Sequence, residues 1–200
     1  MRLCNASVKP SDMHRNVRLL LGSSIFIHMG LNILAPVYAI YVQRIGGQLI
    51  DASFSIGFYA LLRGILYFVF AKLNDRHLPH RPILFGGYMM YAAAYLAYII
   101  IDAPIWLFVI QGWLALADTI LNPSWSTVIA TSLQSGQERA TYAKFYGYRS
   151  MFEALGAFIG GIAIVSIGFS WTFAIMSIFA ACSAFFSLGI RIDEPSSHRP

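Results

Sequence analysis

The chain has 200 residues, of which 58% are hydrophobic and only 12% carry a charge. Soluble domains hold roughly 45–50% apolar and about 25% charged residues, so this composition excludes a soluble core and predicts an integral membrane protein in contact with the lipid bilayer. The net charge of +5 does not indicate nucleic acid as a partner, because the basic residues cluster at the ends of apolar runs.

Six apolar runs follow one another along the chain, each long enough to supply the roughly 20 residues that a helix needs to cross a bilayer. They are flanked by a polar N-terminal segment at 1–16 and a tail at 191–200. The predicted fold class is therefore an all-α membrane protein, a six-transmembrane-helix bundle. The predicted spans are residues 17–42, 52–71, 82–101, 105–133, 142–168 and 171–190.

The distribution of Lys and Arg predicts how this bundle is oriented. The N-terminal segment, the connections after the second and fourth spans, and the tail hold most of the basic residues, whereas the other three connections hold only Arg44. Cytoplasmic connections of membrane proteins are enriched in Lys and Arg. We therefore expect both termini in the cytoplasm and the protein in the cytoplasmic (plasma) membrane.

Polar side chains recur every three or four residues in four of the spans, which places each set on one face of its helix. Ionisable groups are costly at membrane depth and usually face a cavity or a partner. The sequence therefore predicts that the first, second, fourth and fifth helices line a pathway for a solute or ion. The predicted pathway residues are His28, Asn32, Arg63, Gln111, Asp118, Asn122, Arg149 and Glu153.

A structural interpretation of the same charges stays open. Arg63 and Arg149 balance Asp118 and Glu153 in number, and breaking a buried pair costs more than keeping it. Arg149 and Glu153 lie one turn apart, so they can pair along their own helix. His28 can bind a solute or relay protons, but it can equally hydrogen-bond a neighbouring helix.

Two further regularities concern helix packing and internal symmetry. Small residues in the fifth span, at Gly156, Gly160 and Gly161, allow the backbones of two helices to approach closely. The first and fourth spans each carry an Asn and a Pro in their later halves, which hints at a 3+3 inverted repeat. The residues concerned are Asn32 with Pro36, and Asn122 with Pro123.

The connection between the second and third spans reads AKLNDRHLPHR over residues 71–81. It resembles the signature loop of the major facilitator superfamily, in which a glycine is followed four residues later by an Asp-Arg pair and then by further basic residues. Asp75 and Arg76 match the pair, and Arg81 approximates the later basic position. The resemblance implies that these three residues form a cytoplasmic gating loop.

Two other segments are similar to helix motifs of this superfamily. Residues 156–161 resemble its fifth-helix glycine motif, with Ala157 where antiporters usually carry proline. The Gln-Gly pair at 111–112 resembles its fourth-helix motif, but Phe108 occupies the position of the arginine. Proton coupling through that arginine is therefore not implied. The signature loop of the superfamily carries two glycines, and Ala71 and Leu78 stand at these two positions here.

The resemblance covers six spans, which is half of a typical twelve-span member. It implies a half-size secondary transporter that moves a small solute by alternating access, as a homodimer or with a second six-span half. In a homodimer the second and fifth spans of one copy would meet the fifth and second spans of the other, with Gly156, Gly160 and Gly161 allowing their approach. No cofactor or metal is predicted.

Three alternatives remain beside this interpretation. The chain can be the N-terminal half of a split or truncated transporter, or a membrane assembly or regulatory protein that transports nothing. An intramembrane hydrolase is disfavoured, because His28 is the only histidine within a span and no nucleophile or metal motif occurs. We therefore do not expect an enzyme.

Overall fold

The computed structural model describes residues 15–72, 80–132 and 138–190, and all regular elements in these ranges are helical. A single 3₁₀ turn, Ala35–Val37, joins the first two helices. Five segments of the described chain are long and apolar enough to cross a membrane. The prediction of an all-α membrane protein is thereby confirmed. The α-helices are α1 (Arg15–Leu34), α2 (Tyr38–Arg44), α3 (Leu49–Lys72), α4 (His80–Ile100), α5 (Ile105–Thr131) and α6 (Glu138–Ser187).

The first apolar segment, Arg15–Arg44, is a helix with a break rather than one continuous α-helix. Pro36 lies in the 3₁₀ turn that separates α1 from α2. Proline has no backbone N–H and clashes with the carbonyl four residues earlier, so it cannot continue the α-helical ladder. The break falls in the later half of the segment and leaves α2 as a short helix of 7 residues.

The longest helix, α6, is divided into two arms by Gly168, whose φ of 79° and ψ of 173° are not helical. Glycine adopts positive φ at little cost, which explains why the helix breaks here. The sequence predicted separate helices at 142–168 and 171–190. The structure instead joins a first arm, residues 138–167, to a second arm, residues 169–187, with a break of one residue.

The two arms of α6 run in opposite directions along α1. In the first arm, Gly156 and Gly160 lie against Met29 and Ile33, so the residue numbers rise together. In the second arm, Met176 lies beside Gly30 while Phe186 lies beside Gly22, so the numbers run oppositely. The chain therefore reverses its direction at Gly168, and α1 packs against both arms.

Helix α4 packs against both α5 and α6. Its large buried side chains are spaced four and three apart, which is the period of one helical face. Ser177 of the second arm donates a hydrogen bond to the Ala92 carbonyl at 3.0 Å and ties α6 to this helix. Tyrosines and small residues make up most of the buried face, which comprises Leu84, Gly87, Tyr88, Tyr91, Ala92, Ala94, Tyr95 and Tyr98.

The glycines predicted to serve helix packing face two directions. A Cβ atom at Gly156 or Gly160 would meet the backbone of α1 at Met29 or Ile33. Gly161 has open space around it. Because α1 of the same chain occupies the Gly156 and Gly160 face, these two residues are not offered to a second copy, which corrects that part of the predicted dimer contact.

We expect Gly156→Ala and Gly160→Ala to destabilise the protein by about 1–3 kcal/mol each, since the added methyl overpacks a backbone contact. The matched control is Gly161→Ala, which adds the same methyl to open space and gains up to about 1 kcal/mol of helix propensity. Thermal unfolding in detergent, followed by tryptophan fluorescence, compares the three. Equal shifts for all three would contradict the α1–α6 contact.

Candidate functional site

A charged pair joins α3 to α5 near the middle of both helices. Arg63 Nη1 lies 3.0 Å from Asp118 Oδ2, and the side chains are 36% and 14% exposed. Tyr59 of α3 and Tyr91 of α4 donate further hydrogen bonds to the two carboxylate oxygens. The Asp118 carboxylate thus accepts from three donors. This is the arrangement that a charge needs in a low-dielectric interior.

The contact continues along the same faces of the two helices. Asn122 Nδ2 donates to the Tyr67 hydroxyl at 2.7 Å, one turn beyond the Arg63–Asp118 pair. The guanidinium of Arg63 also lies over the ring of Tyr59, 4.8 Å from its centroid. The polar stripes that the sequence placed on the second and fourth spans therefore face each other.

His28 bonds to the backbone of its own helix through one ring nitrogen. Its Nδ1 lies 2.9 Å from the Ser24 carbonyl, and a carbonyl only accepts, so Nδ1 carries the proton. The neutral ring then has Nε2 as its acceptor. Its ring centroid lies 5.0 Å from that of Trp125. Asn32 donates to the His28 carbonyl at 2.8 Å and so is turned back along its own helix.

Arg149 and Glu153 pair along the first arm of α6. Nε of Arg149 lies 2.9 Å from Oε1 of Glu153, but the geometry does not give that nitrogen a hydrogen bond. The guanidinium lies over Tyr146, 4.8 Å from the ring centroid. Pairing within the helix was the structural alternative for these two residues. The pair nevertheless leaves Arg149 at the edge of a cavity.

This cavity, the polar cavity, has a volume of about 260 Å³. Side chains from α1, α3, α4, α5 and α6 line it, so it lies inside the bundle rather than on one helix. The sequence-predicted pathway residues in its wall are His28, Arg63, Asp118, Asn122 and Arg149.

A second cavity, the aromatic cavity, has a volume of about 310 Å³ and lies nearer the end of the bundle where α2 ends and α3 begins. Gln111 lies in its wall and donates to the Tyr38 hydroxyl at 3.1 Å. The two cavities share three wall residues, so they adjoin each other. The shared residues are Leu31, Tyr59 and Tyr91.

The other predicted site residues lie elsewhere. Asn32 and Glu153 are not among the described side chains that line either cavity. Arg81 is exposed in the first turn of α4. Asp75 and Arg76 of the gating loop lie outside the described residues.

The sequence interpretation missed the tyrosines of α4, because it assigned the pathway to the first, second, fourth and fifth spans and left out the third. Tyr91, Tyr95 and Tyr98 line the cavities, and Tyr91 bonds to Asp118. The signal was present as tyrosines at four- and three-residue spacing. Counting the tyrosine hydroxyl as a polar group would have placed this helix in the wall of the pathway.

The described residues contain no group of three or more His, Cys, Asp or Glu side chains that could hold a metal ion. A bundle of long apolar helices around a polar interior space is the architecture of a membrane transport protein. The chain belongs to the Major Facilitator Superfamily, whose family model matches residues 20–200. The family that the signature loop indicated is thereby confirmed.

Two of the similar proteins are described as a flippase and as a multidrug resistance protein. The chain is 21% identical over 173 residues to the "Proton-coupled antiporter flippase LtaA" of Staphylococcus saprophyticus, covering 81% of the chain and 44% of that protein. It is 23% identical over 180 residues to the "Multidrug resistance protein MdtG" of Erwinia billingiae, covering 86% of the chain and 43% of that protein. The chain therefore spans less than half the length of these two relatives.

A shorter relative is matched over more of its length. The chain is 22% identical over 131 residues to the "Uncharacterized MFS-type transporter YitZ" of Bacillus subtilis, covering 65% of the chain and 79% of that protein.

We expect Arg63→Gln to destabilise the protein by about 1–3 kcal/mol, because the partly buried Asp118 carboxylate loses its ionic partner. The double variant Arg63→Gln/Asp118→Asn should recover part of that loss, since no unpaired charge remains. Arg81→Gln, an exposed charge, is the control and should change stability by less than about 0.5 kcal/mol. Thermal unfolding measures these variants together with Asp118→Asn alone, which completes the double-mutant cycle, and strictly additive single effects would contradict the pairing.

Proposed function

We propose that this chain is one six-crossing half of a secondary transporter that moves a small solute across the cytoplasmic membrane by alternating access. The observation that carries the proposal is the polar cavity, where charged side chains of α3, α5 and α6 surround a space at mid-helix. Charges at membrane depth are costly and are retained where they serve a pathway. A protein that only needed stable packing would fill this space with apolar side chains.

The six-crossing topology is supported by the reversal at Gly168. At 1.5 Å per residue the two arms of α6 measure about 45 and 29 Å, and a bilayer core is about 30 Å thick. Each arm is thus long enough for one crossing, and their opposite directions return the chain to its starting side. With the basic residues at the cytoplasmic connections, both termini lie in the cytoplasm.

Alternating access fits the arrangement of the two cavities. The polar cavity lies near mid-helix, whereas the aromatic cavity lies toward the end of the bundle where α3 begins. The predicted orientation places that end on the outer side of the membrane. Leu31, Tyr59 and Tyr91 stand between them. A solute would pass from one compartment to the other while the bundle opens first to one side and then to the other.

A second six-span unit completes the pathway in this proposal, and a second copy of the chain is the simplest candidate. Helix α3 packs against α5 but leaves large apolar side chains such as Leu61 and Phe68 exposed by 66% and 76%. The first arm of α6 exposes Leu155 and Phe158 on the side opposite to α1. A partner related by a two-fold axis along the membrane normal would bring these two surfaces together.

Alternating access is tested by cysteine labelling in oriented vesicles, after Cys4 and Cys182 are replaced by Ser. We expect Asn122→Cys, in the polar cavity, to react with an impermeant thiol reagent from the cytoplasmic side. Ala35→Cys, in the aromatic cavity, should react from the opposite side. Labelling either site with a bulky reagent should slow labelling of the other, because opening on one side accompanies closure on the other.

The control for labelling is Thr131→Cys, an exposed position at the end of α5 that should react from the cytoplasmic side in every state. Two cavity sites that react from the same side, with no effect on each other, would indicate a static assembly or regulatory protein.

The dimer is tested by native mass spectrometry and cross-linking in the same cysteine-free chain. We expect a species of twice the 22.2 kDa chain mass, and a thiol cross-link between Leu61→Cys and Leu155→Cys of different copies. Leu96→Cys with Ile178→Cys, exposed positions on α4 and the second arm, is the matched control. A cross-link in the control pair alone would place the interface elsewhere, and a stable monomer would favour a separate second half.

A further inference from the structure

The polar cavity offers positive charge more readily than negative charge. Its one carboxylate in the described chain, Asp118, is covered by hydrogen bonds from Tyr59, Arg63 and Tyr91. Arg63 makes both of its hydrogen bonds to described residues through Nη1, and its other donors have no hydrogen-bond partner in the described part of the chain. A solute that enters this space therefore meets a shielded anion and a cation with free donors.

Arg149 adds a second cation with unused donors to the same wall. Its contact with Glu153 is made by Nε, and its two terminal nitrogens make no hydrogen bond to a described residue. Glu153 is absent from the wall of the cavity. Guanidinium groups present paired N–H donors that match the two oxygens of a carboxylate or the oxygens of a phosphate.

The aromatic cavity has a different chemistry and two unsatisfied hydroxyl groups. Its wall is formed by tyrosine rings and aliphatic side chains, among them Leu34, Leu114 and Met176. Tyr95 and Tyr98 lie in that wall, are 1% and 2% exposed, and their hydroxyls have no hydrogen-bond partner among the described residues. A buried hydroxyl without a partner is unfavourable, so a ligand that accepts its hydrogen bond is favoured there.

We propose that the solute is an amphipathic anion. Its acidic head binds Arg63 and Arg149 in the polar cavity, and its apolar or aromatic body lies in the aromatic cavity, where an acceptor atom meets Tyr95. The two compartments adjoin, and each is close to the lower end of the 300–1,000 Å³ that ligand sites of drug-sized molecules occupy, so a molecule that reaches past Leu31, Tyr59 and Tyr91 occupies both. This assignment names the substrate class and rests on the proposed transport function.

The assignment is tested with three probes that share one aromatic body: 2-naphthoate, 2-naphthylmethanol and 2-naphthylmethylammonium. Equilibrium dialysis measures their binding to the full chain in lipid nanodiscs, with empty nanodiscs subtracted. We expect 2-naphthoate to bind at least about tenfold more tightly than the neutral and cationic probes, the effect of one charge-assisted hydrogen bond. Tighter binding of either other probe, or saturable binding of none, would overturn the proposal.

Two variants locate the head group and the body. Arg149→Gln/Glu153→Gln removes the ion pair without leaving a lone charge, and should weaken 2-naphthoate binding about tenfold while leaving the neutral probe unchanged. Arg139→Gln, an exposed charge on the same arm, is the control. Tyr95→Phe should remove the advantage of 6-methoxy-2-naphthoate over 2-naphthoate, about threefold or more. Unchanged anion affinity in the first variant would exclude Arg149 from the head-group site.

Uptake into proteoliposomes separates this assignment from the transport proposal. Uptake of the cation but not of 2-naphthoate would overturn the anion assignment and support transport. Saturable 2-naphthoate binding without uptake of any probe would support the assignment and contradict transport.

Discussion

The contact between the Asp118 carboxylate and its three donors fixes the arrangement on which the cavity depends. Helix α3 exposes most of its apolar surface and has few other partners than α5. The hydrogen bonds from Tyr59 and Arg63 therefore set its position and rotation along α5. Burying any of these polar groups in an apolar solvent without a hydrogen-bond partner costs free energy, so each depends on the others as its partners. The requirement that lipid places on polar groups thus becomes a constraint on helix geometry.

The helices of the opposite wall are held together by close packing, because the Arg149–Glu153 ion pair lies within α6 and joins no two helices. Gly156 and Gly160 let the first arm of α6 approach the backbone of α1, where any larger side chain would force the helices apart. Helix α4 packs against both α5 and α6 and holds the two walls in register. One wall is thus tied by polar contacts and the other by close backbone packing, and the cavity lies where the two meet. This division leaves the α3 and first-arm surfaces free to contact lipid or a second unit.

The periodicity of the sequence was sufficient to predict those site residues whose position depends on a single helix. Arg63 and Asp118 were recognised because a charge within an apolar run has no local explanation, and both lie in the cavity wall. Asn32 and Glu153 share the same helical stripes but bond within their own helices. Sequence spacing places a residue on a helical face but does not show whether its side chain bonds within the helix or across to a neighbour. The tyrosines of α4 were missed because their rings count as apolar in a hydropathy pattern while their hydroxyls act as polar groups.

The sequence by itself determined the membrane environment, the all-α architecture, the apolar helices and the family, because each of these follows from composition, run length or a local motif. Only the tertiary structure decided which polar faces meet, which glycines contact α1, and how two adjacent compartments form. The physical reason is that hydrophobicity is a property of one segment, whereas the pairing of Asp118 with groups from α3 and α4 depends on the relative rotation of three helices. The shielding of that carboxylate exists only once the helices have packed.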